Sequence, residues 1–311
     1  MSGHVPVLLA EALEGLSLLE DGWYVDATYG RGGHSAGILA RLGGRGRLLA
    51  LDKDPEAVGH AREKFAADGR FTVAHADFSS LGSVVRPWLG SHRLAGVLLD
   101  LGVSSPQLDA AGRGFSFSGD GPLDMRMNTM QARTAASWLA EVEEAELVRV
   151  LREYGEEPRA RRIAAAIVAA RGKTPLTTTR ALAELVASVA PRGRGRTHPA
   201  TRVFQALRIV VNAELDALEN ALTEAVVLLA GGGRLVVISF HSLEDRIVKR
   251  FIARETRGDP AYAGLPDIPI RARPRLRRVG RLIRPSVEEV RSNPRSRSAR
   301  LRVAEKLEFA A

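Results

Sequence analysis

The sequence contains no cysteine, and this absence excludes several kinds of protein. The chain has no disulfide, no thiolate zinc site and no cysteine nucleophile. Long apolar runs are also missing, since the longest stretch without Asp, Glu, Lys or Arg is ten residues, 1–10, whereas a membrane-spanning helix needs about 20. No Lys or Arg precedes Arg31, so we expect no basic secretory leader. The sequence predicts a cytoplasmic enzyme or binding protein with no membrane association.

Lysine is scarce, and arginine is concentrated near the C-terminal end. Residues 271–311 hold 12 Arg and 1 Lys against 4 Glu, a surplus that equals the net charge of +9 of the whole 311-residue chain. Such a block attracts polyanions, among which nucleic acid is common. A second arginine cluster comprises Arg192, Arg194, Arg196, Arg202 and Arg208, with no acid between its members. Both features favour contact with RNA phosphates, and the alternative is a merely solvated basic surface.

The first hundred residues alternate short apolar runs with helical patterns, which is typical of βαβ units around a parallel sheet. We expect strands over 23–27, 47–51, 71–76 and 94–99, with helices over 35–41, 55–66 and 81–89. After residue 100 only helical patterns follow, over 134–154 with an interruption near Glu141, 157–171 and 178–189. One long helix over 199–230, ended by the glycines 231–233, leads to further strands over 234–239 and 300–307 and a helix over 243–255.

These patterns predict an α/β fold in which a parallel sheet is interrupted by an insertion. The sheet domain would comprise residues 1–108 and 206–311, and an all-helical domain, residues 109–205, would follow the fourth strand.

A glycine-rich loop follows the first predicted strand directly. Its sequence from Asp26 is DATYGRGGHS, and it opens the first of the sheet helices. Glycines let backbone approach a ligand closely, and the N–H groups at a helix start favour electronegative groups. The dinucleotide pattern G-x-G-x-x-G requires Gly or Ala at its sixth position, which counted from Gly30 is Ser35. The loop therefore predicts a nucleotide-like ligand without matching the nicotinamide pattern.

Acidic residues follow the predicted strands of the sheet. Asp26, Asp52 and Asp100 close the first, second and fourth strands. Open α/β sheets bind ligands at this edge, and an acid at the end of the second strand accepts hydrogen bonds from ribose hydroxyls. Carboxylates would repel the pyrophosphate of NAD and attract the sulfonium and ammonium of S-adenosylmethionine. The three carboxylates at the strand ends therefore favour S-adenosylmethionine as the ligand. For Asp54 and Asp77, helix capping is the preferred interpretation.

Seven sequence runs carry a resemblance to a known family and span nearly the whole chain. They are HVPVLLAE from His4, DATYGRGGHS from Asp26, DLGVSSPQLD from Asp100, RGFSF from Arg113, DGPLDMRM from Asp120, HPATRVFQALR from His198 and ISFHSLEDRIVKR from Ile238. Through these runs the chain resembles the ribosomal small-subunit RNA (cytosine-N4)-methyltransferase family, known as RsmH or MraW. Ala27 and Tyr29 stand where relatives often have Gly and Phe, and residues 256–285 look divergent.

The resemblance implies a class I, Rossmann-like, S-adenosylmethionine-dependent methyltransferase sheet domain with an inserted helical domain. It implies methylation of N4 of a cytidine in the decoding region of 16S rRNA, with the small ribosomal subunit as partner. The sequence leaves the oligomeric state open, with a homodimer as one candidate. The family's cofactor-binding positions fall on Gly32, Gly33, His34, Asp52, Phe78, Asp100 and Gln107.

Methylation of a cytosine amine requires hydrogen-bond acceptors, because the N4 lone pair is delocalised into the ring until both N–H groups are held. The short Asp/Asn-Pro-Pro-aromatic motif of many amino-methyltransferases is absent. Asp100, Ser104 and Ser105 are the candidate acceptors, and Asp100 would lie next to both donor and base. His241 is a candidate proton acceptor, with the capping of backbone groups as the alternative.

Three phenylalanines and several histidines offer further candidate roles. Phe115, Phe117 and Phe240 are candidates for stacking on an extruded base, with core packing as the alternative, which we prefer for Phe240. No histidine spacing matches a catalytic metal site, so none is expected.

Two other functions compete with methyl transfer. The first is a nicotinamide-dependent dehydrogenase, which Ser35 and the lack of a second glycine loop disfavour. The second is a non-catalytic RNA-binding or assembly factor, which the intact set of glycines and acids disfavours.

Overall fold

A computed structural model describes residues 6–190, 198–262 and 268–308. The chain forms two compact units, one comprising Met1–Gly102 with Leu215–Ala311 and the other Val103–Glu214. From sequence we placed the domain boundaries after residues 108 and 205.

The first unit contains a seven-stranded sheet of order β3-β2-β1-β4-β5-β7-β6. Its strands are β1 Trp23–Asp26, β2 Arg47–Asp52, β3 Phe71–His75, β4 Leu94–Asp100, β5 Leu229–Ser239, β6 Leu276–Ile283 and β7 Arg300–Lys306. Strands β1 to β5 run parallel, and β7 is antiparallel to both of its neighbours. The carboxyl ends of the parallel strands therefore meet at one edge, as the sequence pattern predicted.

Thirteen helices lie in the described part of the chain. They are α1 Leu9–Leu16, α2 Gly33–Leu39, α3 Pro55–Lys64, α4 Leu81–Leu89, α5 Ser105–Asp109, α6 Ala135–Glu141, α7 Glu144–Glu153, α8 Ala160–Arg171, α9 Thr179–Val189, α10 Ala200–Asn212, α11 Glu214–Leu228, α12 Ser242–Glu255 and α13 Val287–Ser292. No helix among the residues described has the length and apolarity to cross a membrane.

Alternate residues of the strands feed two cores on opposite faces of the sheet, because successive side chains of a strand point to opposite sides. Val25 and Val237 belong to a buried cluster that includes side chains of α4, α11 and α12. Tyr24 and Val236 belong to a second cluster with side chains of α1 and α2. Both faces of the sheet are therefore covered, which explains the continuous apolar runs in its strands.

The second unit is helical, and its own core holds Trp138, Leu147, Ile163 and Leu182 among others. Asn212 fixes the loop before α6 to the end of α10, since its Oδ1 accepts from Met127 N at 2.8 Å and its Nδ2 donates to Met125 O at 2.8 Å. The expected α/β architecture with an inserted helical segment is confirmed.

The prediction of one helix over 199–230 is wrong. Ala213 adopts a left-handed conformation with φ 49°, which separates α10 from α11. The glycines 231–233 do not end a helix either, since they lie inside β5, which begins at Leu229. Strand β6 was missed because arginines occupy both of its faces and hide the alternation of apolar residues.

Candidate active site

The glycine-rich loop connects β1 to α2 and depends on two left-handed glycines. Gly30 has φ 58° and Gly32 has φ 66°. A Cβ atom at Gly32 would lie 2.5 Å from the Tyr29 ring, so this position is restricted by both conformation and space. A Cβ at Gly30 would meet only Thr28 O, at 4.0 Å. The backbone is therefore open at Gly30, where a ligand can approach it, and closed against Tyr29 at Gly32.

Gly33 and His34 join the loop to the N-terminal segment. A Cβ at Gly33 would overlap the Pro6 ring, so only glycine lets the segment pass here. His34 is 6% exposed, and its Nε2 lies 3.1 Å from Val7 O. Gly33 and His34 therefore hold the loop against the N-terminal segment, in addition to any contact that they make with a ligand.

Asp26 stabilises the loop from within the protein. Its side chain is 1% exposed, its Oδ2 accepts from Ser35 Oγ at 2.7 Å, and its Oδ1 accepts from Thr28 N at 3.2 Å. Burial raises the pKa of Asp26 to about 6. Sequence reasoning had grouped this acid with the ligand-facing ones, but both of its oxygens bind the loop and the start of α2.

Asp52 lies at the carboxyl end of β2 and faces the loop. Its Oδ2 accepts from Gly30 N at 2.8 Å, and its Oδ1 accepts from Asp54 N at 2.8 Å. Each carboxylate oxygen has two lone pairs, so each retains one acceptor position. Burial, together with the nearby charges of Asp54 and Asp26, raises the pKa of Asp52 to about 6. The carboxyl group is thus oriented toward the open backbone at Gly30.

Two other acids at this edge cap helices, as the sequence indicated. Asp54 caps α3 by accepting from Glu56 N at 3.0 Å. Asp77 caps the turn after β3 by accepting from Ser79 N at 2.7 Å. The capping interpretation is confirmed for both.

Phe78 follows β3 at the same edge of the sheet. It is partly buried against the core, and Lys53 Nζ lies 5.7 Å from its ring centroid. Lys53 also forms an ion pair with Asp77 at 2.7 Å, so the ammonium is fixed beside the ring. Phe78 thus presents an apolar surface next to the strand that ends in Asp52.

Asp100 lies at the end of β4, next to β1, and is tied to the loop through its backbone. Its N–H donates to Thr28 Oγ1 at 2.6 Å, and its Oδ2 lies 3.6 Å from His34 Nδ1. Its Oδ1 is buried and has no hydrogen-bond partner among the described residues. Burial, and then the charges of Asp26 and Glu244, raise the pKa of Asp100 well above its usual value. The carboxyl group is therefore held with an unused acceptor in a site that disfavours its charge.

His241 is the N-cap of α12. Its Nδ1 lies 3.5 Å from Glu244 N, and its Nε2 lies 3.0 Å from Glu244 Oε1. Glu244 is 2% exposed, and its Oε2 accepts from Phe240 N at 2.8 Å. Both ring nitrogens of His241 thus face Glu244, which supports the capping alternative.

Of the remaining predicted residues, Ser104, Gln107, Phe115 and Phe117 belong to the second unit, and Phe240 belongs to the first. Gln107 Oε1 accepts from Ser104 N at 2.9 Å, which closes the first turn of α5. Phe115 is buried, and the Phe117 ring centroid lies 4.9 Å from that of Phe204. Core packing therefore accounts for both phenylalanines. Phe240 is partly buried against the core of the first unit.

The second arginine cluster is less available than its sequence indicates. Arg192, Arg194 and Arg196 lie outside the described residues. Arg208 forms two hydrogen bonds with Glu214, at 2.8 and 2.7 Å. No acid lies between the members of the cluster in the sequence, but folding brings Glu214 of the next helix to Arg208.

Sequence reasoning missed three contacts inside the loop motif. Thr28 links the loop to Asp100, Gly30 N–H orients Asp52, and Ser35 hydroxyl holds Asp26. Thr28, Gly30 and Ser35 are part of the sequence motif. Their hydrogen-bond partners could not be predicted from the motif, because these depend on which strands are neighbours in the sheet.

Comparison with known proteins identifies the family. The model of the MraW methylase family matches residues 1–307. A Ribosomal RNA small subunit methyltransferase H from Coxiella burnetii (strain Dugway 5J108-111) is 53% identical over 311 residues, covering 99% of this chain and 100% of that protein. The protein of the same name from Xanthomonas campestris pv. campestris (strain B100) is 54% identical over 306 residues, covering 98% of this chain and 88% of its own length. This chain therefore belongs to the MraW methylase family.

Proposed function

We propose that this protein transfers a methyl group from S-adenosylmethionine to N4 of a cytidine in the decoding region of 16S rRNA, in the small ribosomal subunit. Family membership and the names of the relatives support methylation of small-subunit RNA. The choice of N4 rests on the sequence runs that resemble the cytosine-N4 family. A ribosomal substrate supports a cytoplasmic location for the activity.

The observation that carries the proposal is the link between the glycine loop and Asp52. The N–H of Gly30 orients the carboxyl group at 2.8 Å, and the backbone of Gly30 is open on the side where a Cβ would project. A carboxylate beside open loop backbone at the carboxyl edge of a parallel sheet is suited to a ribose.

The residues present fit S-adenosylmethionine. Asp52 would accept hydrogen bonds from the ribose hydroxyls, and Phe78 would contact the purine face. The buried Oδ1 of Asp100 has no hydrogen-bond partner among the described residues, so it can accept a hydrogen bond from a ligand. Gly32, Gly33 and His34 would hold the amino-acid end, and Gln107 is a further candidate from the family resemblance. Buried carboxyl groups attract a sulfonium and an ammonium and would repel a pyrophosphate. When bound, S-adenosylmethionine supplies a methyl group activated by the adjacent positive sulfur.

The protein's own residues would hold the cytosine amine by hydrogen bonds and so make its nitrogen more nucleophilic. Asp100 would accept one N–H of the cytosine amine, and Ser104 would accept the other through its hydroxyl or carbonyl oxygen. Two acceptors reduce delocalisation of the lone pair and direct it away from the ring. His241 would position Glu244 and the start of α12, since both of its ring nitrogens already face Glu244.

Methyl incorporation tests the proposal. Small subunits that lack the modification are incubated with the protein and labelled S-adenosylmethionine, and the labelled nucleoside is identified by mass spectrometry. We expect N4-methylcytidine, with strong loss of incorporation in Asp100→Ala. The control Asp21→Ala removes an exposed acid whose ion pair within the described residues is with Arg45 at the surface, and it should retain incorporation. A label on another atom, or none at all, would contradict the proposal, and the second result would favour the assembly-factor alternative.

A further inference from the structure

A cavity of about 510 Å³ lies in the first unit, where β5 ends and α12 begins. Its lining includes Phe240, His241, Arg284, Arg297 and Arg300. This volume falls within the roughly 300–1,000 Å³ of small-ligand sites. None of these arginines belongs to the set of residues assigned above to methyl-donor binding.

The arginines give the cavity a positive charge that the described residues do not neutralise. Arg284 and Arg297 are exposed and form no ion pair with any described residue. Arg300 is different, since its Nη1 lies 2.8 Å from Asp245 Oδ2. No acid is among the described residues that line the cavity.

The two acids in the first turn of α12 are already occupied. Asp245 also pairs with Arg302 at 2.7 Å, and these arginines lower its pKa against the effect of burial. Glu244 is almost completely buried and accepts from Phe240 N. Neither acid therefore cancels the charge of Arg284 and Arg297.

The hydrogen-bond donors around the cavity suit a phosphate. The 14-residue helix α12 begins at Ser242, which lines the cavity, and a helix N-terminus carries positive partial charge. The Ser298 hydroxyl lines the same space. Guanidinium groups bind phosphate oxygens through paired, charge-assisted hydrogen bonds.

The cavity also lies beside the edge where Asp100 is found. Asp100 is paired in register with Ile238 of β5, and Phe240 follows Ile238 by two residues. Neighbouring strands are about 4.8 Å apart. The part of the cavity formed by Phe240 is therefore one strand away from the carboxyl end of β4, where the target base would react.

We propose that the cavity binds a phosphodiester group of the RNA strand that carries the target cytidine. The proposal rests on the function proposed above and adds a specific phosphate site to it. Arg284 and Arg297 contact the phosphate directly, whereas Arg300 is held in place by Asp245.

The test compares two double variants of equal charge. Arg284→Gln/Arg297→Gln removes both free cavity arginines. Arg278→Gln/Arg281→Gln removes two exposed arginines of β6 that do not line this cavity. Binding of a fluorescently labelled, single-stranded oligoribonucleotide is measured by anisotropy over a series of salt concentrations, and donor affinity is measured by calorimetry.

We expect the cavity variant to bind RNA more weakly, with a salt slope smaller by about 0.7 for each lost phosphate contact. The β6 variant should keep the slope of the parent protein, and both variants should keep its donor affinity. Equal flattening by the two variants would show a diffuse electrostatic effect and overturn the proposal. An unchanged slope in the cavity variant would overturn it as well.

A second arm separates an RNA phosphate from a small phosphate compound. Inorganic phosphate and cytidine monophosphate are titrated against parent and cavity variant. Loss of their binding together with an unchanged RNA slope would assign the cavity to a small ligand and overturn the proposal.

Methyl incorporation into small subunits distinguishes failure of this inference from failure of the proposed function. In the cavity variant, KM for the subunit should rise while kcat changes little. A parent protein without activity would reject the proposed function, whereas an active parent with an unchanged KM in the variant would reject only the cavity.

Discussion

His34 lies between a backbone carbonyl and Asp100, with Nε2 3.1 Å from Val7 O and Nδ1 3.6 Å from Asp100 Oδ2. A carbonyl oxygen only accepts, so Nε2 carries the hydrogen of this contact. Nδ1 then faces Asp100 either as a neutral acceptor or as part of an imidazolium. Because burial raises the pKa of Asp100 well above its usual value, the neutral acid is favoured when the donor is absent.

Donor binding should release protons from this site. A positive sulfonium and ammonium favour the ionised forms of Asp100 and Asp52, so their pKa values fall when the donor binds. Because the free protein holds Asp52 at a pKa of about 6, affinity should rise as the pH is raised through that value. Calorimetry near pH 6 in two buffers of different ionisation enthalpy measures the released protons. Asp100→Asn should release fewer protons than the parent protein, and an enthalpy independent of buffer would contradict the assignment.

Asp52→Ala should weaken donor binding by at least about tenfold. Each hydrogen bond from a ribose hydroxyl to the carboxylate contributes about 1.5–3 kcal/mol, and about 1.4 kcal/mol corresponds to a factor of ten. The variant also removes the acceptor of Gly30 N, so an unfolding curve is recorded beside the titration. Asp21→Ala is the matched control on the surface. Parent-like donor affinity in a folded Asp52→Ala protein would mean that another residue holds the ribose.

Asp26 should make the donor-free protein lose stability as the pH rises. Burial raises its folded pKa from 3.8 to about 6, so between these values the native state binds more protons than the unfolded state. The free energy of unfolding therefore falls as the pH increases through this window. Asp77, Asp245 and Glu255 have lowered pKa values and act in the opposite direction, so the parent curve alone is not diagnostic.

The comparison with Asp26→Asn isolates the effect of Asp26. Urea unfolding of both proteins at about pH 4 and about pH 7 should show the variant gaining stability relative to the parent at the higher pH. A difference that is constant with pH would mean that folding does not raise the pKa of Asp26.

Gly32→Ala should abolish donor binding by displacing the loop. The added Cβ would lie 2.5 Å from the Tyr29 ring, and a non-glycine residue with φ near 66° costs about 1–3 kcal/mol. The glycine pattern predicted only a close approach of loop backbone to a ligand, and the structure shows that the Tyr29 ring lies where the Cβ would be. Gly44→Ala is the control, because nothing lies within 4 Å of its Cβ position and its φ is not positive. Normal equilibrium binding by Gly32→Ala would refute the role of the loop.

The sequence predicted the parts of the fold that depend on local patterns. Strands β1 to β4 were found because apolar runs and the cap at Asp54 are local signals, and Asp52 was placed correctly because it ends such a run. The contact of His34 with Val7 spans 27 residues, and it depends on how the N-terminal segment passes the loop. The left-handed Ala213 carries no signal in its residue type, so the break between α10 and α11 was not predicted. Whether an arginine is available to bind RNA likewise depends on ion pairs that form only in the folded chain.

Arg208 should contribute to stability rather than to RNA binding. Its side chain is 15% exposed and that of its partner Glu214 is 6% exposed. Removing one member of a buried pair leaves the other charge uncompensated, which costs about 3–5 kcal/mol. Glu214→Gln should therefore lower the free energy of unfolding substantially, whereas Glu146→Gln, which breaks the exposed pair with Arg149, should cost at most about 1 kcal/mol.

Arg208→Gln should behave like Glu214→Gln in urea unfolding and leave the salt slope of RNA binding unchanged. If Arg208→Gln instead flattens that slope and leaves unfolding unaffected, the guanidinium exchanges Glu214 for an RNA phosphate. Arg208 would then belong to the arginines that bind RNA.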